Sequence, residues 1–269
     1  MSTTKNIFIY TLFLLISINT VTGQSSPLAD EYLRLADDFK KNLKPDSAIL
    51  YYEKAGVEFR SLRNTEKFVH AYTQAGVILT RQDNYEKAKK YLDEALSAAL
   101  ASLDTTSLVL ATTYISLGVN YSAQENYTES LRYHNKALSI RLLKLGEYHA
   151  DVATSYGNIG NVYFNSKDYE QAIDAHVKAM KIREKLFGST GVEVIQSYTN
   201  LGNAYKARQD YKTSLTYYEK ALQNKIAQVG QGHKDLARFY KNVGDVHYVL
   251  GNTEQGDFYK AKSEELVKN

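Results

Sequence analysis

The chain repeats itself every 42 residues, and no other property limits its fold as much. "NIGNVY" (158–163), "NLGNAY" (200–205) and "NVGDVH" (242–247) are successive copies of one phrase. Gly76, Gly118, Gly160, Gly202 and Gly244 hold the interval without a slip, and so do the tyrosines four residues before each: Tyr72, Tyr114, Tyr156, Tyr198 and Tyr240. Nine residues after the glycine come Tyr85, Tyr127, Tyr169 and Tyr211, with Thr253 ending the series. Nineteen after it come Ala95, Ala137, Ala179 and Ala221, then Ser263. A looser first copy (Tyr32, Ala36, Phe39, Ala48, Tyr51, Ala55) lies 40 residues ahead of the next. Six units at a fixed period mean an array in which each unit packs on its neighbours.

The spacing inside a unit is helical. Val152, Tyr156, Ile159, Gly160 and Tyr163 fall on one face at steps of three and four. After "NSKD" a second run begins with Tyr169, Ala172, Ile173, Ala175 and Ala179 and continues to Ile182 and Leu186. Only two prolines occur in 269 residues, Pro27 and Pro45. Their scarcity favours long helices, since an interior proline costs about 3 kcal/mol. Gly146, Gly188 and Gly230 stand where left-handed helix ends are expected. Each unit therefore reads as two antiparallel helices that bury an apolar face only when stacked. The glycine is expected to let the backbone of the second helix approach, and the tyrosines to fill gaps between consecutive units. The expected units cover 29–62, 69–102, 111–144, 153–186, 195–228 and 237–269. Gly256 and "KAKSEE" in the last one read as a solvated cap.

In register, the residues Tyr, Leu/Ile/Val, Gly, Tyr, Ala/Ser, Tyr/His and Ala resemble the tetratricopeptide repeat. The 42-residue unit, with linkers such as "GEYHADVA" (146–153) and "GQGHKDLA" (230–237), is similar to the kinesin-light-chain type. The resemblance covers 27–269. It implies an all-α, right-handed superhelical solenoid whose first helices line a concave groove. Asparagines at the matching positions in that type hold the backbone of an extended peptide. Here those positions carry Asn158 and Asn161, Asn200 and Asn203, then Asn242 and Asp245. An asparagine amide suits the task because it both donates and accepts, as a peptide group does. Earlier units depart from the pattern with Gln74 and Val77, then Ser116 and Val119; together with Ile115 they give an apolar stretch. Arg238, Lys241 and Lys206 add positive charge toward the C-terminal end, and Phe164 and Tyr248 are expected to project into the groove. The groove thus suits an extended peptide with an acidic or carboxylate end. A two-carboxylate clamp is not expected, because Gly157 stands where it would need a lysine.

The first residues have a different character. "MSTTK" supplies one positive charge, "NIFIYTLFLLISI" is uncharged and mostly apolar, and "NTVTG" is small and polar. The apolar core is about a dozen residues, short of the ~20 that span a bilayer. Residues 1–23 are therefore expected to be a cleaved signal peptide, with Val21 and Gly23 at positions −3 and −1. The solenoid, 24–269, would then be exported to a periplasm or secreted. It contains no cysteine, so packing alone must hold it.

Chemical motifs are missing. The six histidines (His70, His134, His149, His176, His233 and His247) show no metal-ligand spacing, and His134 and His176 are 42 apart like the rest of the repeat. His149 and His233 are expected to tie down the linkers. "GQGH" lacks the continuation of a phosphate loop. A net charge of +3 is too balanced to argue for nucleic acid. No catalytic residue, metal or cofactor is expected. The "NYS" sequon at Asn120 falls in a packed helix, which makes it a poor glycosylation acceptor. The chain reads as a monomeric, non-enzymatic scaffold for a protein or peptide partner. An extracytoplasmic sensing or accessory subunit and a self-assembling solenoid are the alternative readings.

Overall fold

The structure is a computed structural model and describes residues 26–268. The expected signal peptide, 1–23, lies outside the described residues. Twelve α-helices follow one another: α1 (Pro27–Lys41), α2 (Pro45–Ser61), α3 (Thr65–Arg81), α4 (Tyr85–Ser102), α5 (Leu108–Ala123) and α6 (Tyr127–Leu145) in the first half. The second half has α7 (Ala150–Asn165), α8 (Tyr169–Phe187), α9 (Val192–Ala207), α10 (Tyr211–Val229), α11 (Ala237–Val249) and α12 (Thr253–Lys268). They pack in consecutive pairs, each pair on the next, and no strand occurs among the described residues.

Every pair closes with the same turn. Its middle residue has positive φ: Leu43, Asp83, Glu125, Lys167, Gln209 and Gly251, between 55° and 79°. The following N–H reaches back to the carbonyl five residues earlier, 2.9 Å in every unit, as in Asn126 to Tyr121 and Asp168 to Tyr163. This bond satisfies a carbonyl that the helix end leaves open. The same third residue then starts the second helix. Asn126, Asp168 and Asp210 accept from the N–H three residues on, at 3.2 Å each. One asparagine or aspartate therefore ends one helix and begins the next.

Between pairs, Gly146, Gly188 and Gly230 have φ of 77°, 77° and 81° with ψ of 169°, 161° and 163°. The positive φ was expected, but the backbone is extended and not left-handed helical. This region admits essentially only glycine, so the requirement is stricter than for an ordinary cap. His149 and His233 do tie the linkers down. Their Nδ1 atoms accept from the N–H of Asp151 and Asp235 at 3.1 and 3.2 Å.

The repeating glycine has a more specific neighbour than backbone. A Cβ on Gly76, Gly118, Gly160 or Gly202 would lie 2.5–2.8 Å from the side chain of Leu92, His134, His176 or Tyr218, respectively. Each of these sits sixteen residues later, on the second helix of the same unit. Backbone comes within 3.3 Å at Gly76, where the Ala88 carbonyl oxygen lies beyond the Leu92 side chain, and at Gly244, where the Gly256 carbonyl oxygen and the Tyr259 Cβ are the near neighbours. Gly256 is itself buried against the Tyr248 ring, so it is a packing residue rather than a sign of a solvated cap. The rest of α12 is largely exposed.

Most tyrosine contacts also fall within units. The residue fifteen after the glycine packs on the tyrosine four before it: Tyr91 on Tyr72 (5.1 Å between ring centroids), Tyr133 on Tyr114 (5.9 Å), Tyr217 on Tyr198 (6.2 Å) and Tyr259 on Tyr240 (6.2 Å). Its other side meets the aromatic three after the glycine, as in Tyr121 on Tyr133 and Tyr205 on Tyr217. Tyr72 is the exception, since its ring also lies against Gly56 of the preceding unit. Neighbouring units are joined by apolar packing and buried polar bonds. Asn120 donates to Thr80 Oγ1 at 3.0 Å and to the Tyr85 carbonyl at 3.3 Å, which occupies its amide as the sequon argument required.

Two outcomes follow from the glycine contacts. Gly160→Leu has no room, because the His176 ring opposite is only 2% exposed. Overpacking of this kind costs about 1–3 kcal/mol or more. Gly232, which has nothing within 4 Å, should accept alanine almost without change in melting temperature. Burial also pushes the pKa of His134 and His176 down to about 4, helped by the charge of Arg141 and Arg183. Between about pH 6.5 and pH 4 the unfolded chain binds protons that the folded chain refuses, so stability falls as pH falls through this window. The loss is at most on the order of 3 kcal/mol per histidine. Replacing both by leucine, the residue at position 92, should flatten urea-denaturation stability against pH. An unchanged slope would contradict this.

Candidate functional site

The expected binding residues lie on the first helices α5, α7, α9 and α11, and they fall into two groups. Val119 from α5 meets Asn158 and Asn161 from α7 around an open cavity of about 300 Å³. Ser122, Ala123, Val162 and Asn165 complete its walls, and His134 of α6 reaches it from behind. His134 is 2% exposed, and its Nδ1 has no hydrogen-bond partner. Gly118 is what lets the imidazole sit so close behind α5.

From this cavity a polar chain runs to the next unit. Asn161 Oδ1 accepts from Asn200 Nδ2 at 3.5 Å, and Asn200 Oδ1 accepts from Gln196 Nε2 at 2.6 Å. Asn203 is partly committed inward, since the Tyr218 hydroxyl donates to its Oδ1 at 2.5 Å. Tyr52 and Asp37 make the same bond in the first unit. Asn242 is half-exposed on α11.

The second group is ionic. Asp245 lies between Lys241 (2.7 Å) and Lys206 (3.7 Å), so part of the positive charge expected here is neutralised in place. Lys241, Asp245 and Tyr248 border a separate cavity of about 330 Å³ between α11 and α12. The Tyr248 hydroxyl donates to Asp257 at 2.7 Å, which turns it toward α12. Arg238 is exposed and stacks 4.7 Å over the Phe239 ring. Ile115 is half-buried, and it borders neither cavity. Ser116 is only 6% exposed and donates to the Thr112 carbonyl, so it belongs to the helix interior rather than the surface.

A cation does approach Gly157, from the second helix of the unit. Arg183 Nη2 lies 3.8 Å from where a Cβ of Gly157 would be, and Nη1 donates to Ser197 Oγ at 2.6 Å. Burial holds its guanidinium below the ordinary arginine range. The corresponding Lys225, 42 residues on, pairs with Asp235 at 3.3 Å.

From the sequence, none of His134, Ser122 and Asn165 is placed on the binding face, and His134 is only a repeat-register histidine. Asn165 was findable, because 158, 161 and 165 lie on one helical stripe. His134 was not: its repeat register explains why it is buried, but not that a cavity opens in front of it. Among the described residues, no cluster of histidine and acidic side chains is suited to a metal ion. No helix there is long and apolar enough to cross a membrane.

The comparisons agree with this architecture. BtubC (BKLC) from P. vanneervenii superposes with a TM-score of 0.69 at 17% identity, over 90% of each chain. The nearly identical TPR-like repeats of a kinesin light chain candidate from Podosopora anserina give 0.64 at 14% identity, over 74% of this chain and 96% of that one. The apo form of RapI gives 0.62 at 18%, over 89% and 97%. At such identities the likeness is one of fold. No curated protein sequence matches the chain significantly. The tetratricopeptide-repeat family matches residues 68–143 and 151–227, more than half of the chain. With its paired helices stacked unit on unit, this chain belongs to the tetratricopeptide-repeat family and forms an all-α, right-handed solenoid of the kinesin-light-chain-like kind.

Proposed function

We propose that the protein binds an extended segment of a partner protein along the face formed by α5, α7, α9 and α11. The repeat family is one of protein-interaction scaffolds, generally without catalytic activity. The observation that carries the finer reading is the cavity that gathers Val119, Asn158 and Asn161 from two successive first helices. It opens next to an amide chain, Asn161 to Asn200 to Gln196, whose side chains both donate and accept. Beyond it, Lys206, Lys241 and Arg238 outnumber Asp245, which favours an acidic or carboxylate end of the segment there. Export through residues 1–23 would place the partner outside the cytoplasm. N-terminal sequencing of the protein made in its native host tests that part, and a chain that starts at Met1 or Ser2 would overturn it.

The asparagines differ in what they already hold. Asn200 is engaged with Asn161 and Gln196, so Asn200→Ala should lower stability by about 0.5 kcal/mol, the low end for a hydrogen bond because both are exposed. Asn158→Ala and Asn242→Ala should leave the melting temperature alone. Peptides selected from a random displayed library on the wild type should bind the double variant N158A/N242A at least tenfold more weakly by fluorescence anisotropy. Each backbone bond contributes about 0.5–1.5 kcal/mol. Unchanged affinity would sink the groove reading and leave the asparagines as a passive ladder.

A further inference from the structure

The solenoid has two long edges, one made by the turns inside the pairs and one by the linkers between units. They differ in chemistry. In the second to fifth units the pair turns read "QDN" (82–84), "QEN" (124–126), "SKD" (166–168) and "RQD" (208–210), with no apolar residue. The linkers and the helix ends beside them carry Leu108, Leu143, Tyr148, Leu186, Phe187 and Val192, each between 39% and 70% exposed. Among the described residues of these units, Val119 is the only exposed large apolar side chain away from this edge. Apolar side chains gathered on one exposed side mark a contact surface. The linkers are also fixed in place, since each rests on the end of the second helix that follows. Asp104 lies 3.6 Å from Lys144, the Lys185 ammonium sits 3.2 Å over the Tyr148 ring, and the Ser189 carbonyl accepts from Asn224 Nδ2 at 2.8 Å.

We infer that this linker edge, from the end of α4 to the start of α9, is the contact between two copies of the chain in a closed dimer. Charge selects the occupant. Across these linkers and the two adjoining turns of each helix there are five basic and five acidic side chains, so the edge is neutral. An anionic bilayer surface is drawn to an excess of cations, which this edge lacks. A strongly charged partner would find no field of opposite sign. A second copy brings the same apolar residues and the same balanced charges, and a surface that meets itself across a two-fold axis closes at two. Size agrees with this. Six helix ends, each about 10 Å across, span on the order of 600 Å² before side-chain relief is counted, close to the roughly 800 Å² that a stable interface takes from each partner. The inference departs from the monomer expected from the sequence. It goes beyond the groove reading and does not depend on it, because Asn158 and Asn242 lie off this edge.

Sedimentation velocity of the folded chain, 24–269, tests it. The wild type should have twice the mass of one chain. L143K/L186K places lysines in the last turns of α6 and α8, where the helix dipole favours them, and should yield a monomer with an unchanged circular dichroism spectrum. If that spectrum changes, Val192→Glu, an acidic residue at a helix start, is read in its place. E125K/Q209K puts on the opposite edge the lysine that the repeat already has at position 167, and should remain a dimer. N158A/N242A should also remain a dimer, whatever it does to peptide binding. A monomeric wild type overturns the inference, including one that sediments with phosphatidylserine vesicles. So does a dimer that survives the linker-edge variants, or growth beyond two copies.

Discussion

In the four central units the contact between the glycine of the first helix and the side chain sixteen residues later governs how closely the two helices approach. Leu92, His134, His176 and Tyr218 all occupy the space that a Cβ would need. Helices usually pack about 8–10 Å apart, with the distance set by the side chains between them. Removing one side chain entirely lets a leucine or a planar ring enter that seam and brings the flanking aromatics into contact. Tyr91, Tyr133, Tyr217 and Tyr259 then sit against the tyrosine on the first helix. In these four units the seam accepts different occupants opposite the glycine. That freedom is why a histidine can be buried there at all, and the two histidines make stability sensitive to acid.

Chain reversal is equally economical. The turn in each pair spends one positive-φ residue, and five of the six that do so among the described units are not glycine. Such residues cost energy, and the bond from the next N–H back into the first helix offsets it. The linkers between later units use glycine instead, because their extended positive-φ backbone excludes side chains. The two kinds of turn explain why glycine recurs at 146, 188 and 230 but not inside the pairs, apart from Gly251.

On the candidate binding face, neighbours decide what each residue can offer. Asn203 and Asn200 have polar partners within the protein, whereas Asn158 and Asn165 border open space. Lys241 and Lys206 share Asp245, so the basic end is weaker than its lysines alone suggest. Arg183 lies beside Gly157 and is held there by Ser197. None of these pairings joins residues close in sequence, apart from Lys241 with Asp245 and Gln196 with Asn200.

The sequence by itself determined the helices, their pairing and the stacking of units, because a 42-residue period in glycine, tyrosine and alanine leaves no other way to bury the apolar faces. It also showed which residues share the candidate face, since Asn158 and Asn161 lie three apart on a helix whatever surrounds them. Helical periodicity says which side a residue is on, but not what stands opposite. Only the tertiary structure decided that Gly118, Gly160 and Gly202 face rings, that most tyrosines pair within units, and that Gly256 is buried. It alone brought His134 behind Val119 and Asn158, because that meeting joins three helices of two units and depends on the angle at which they stack.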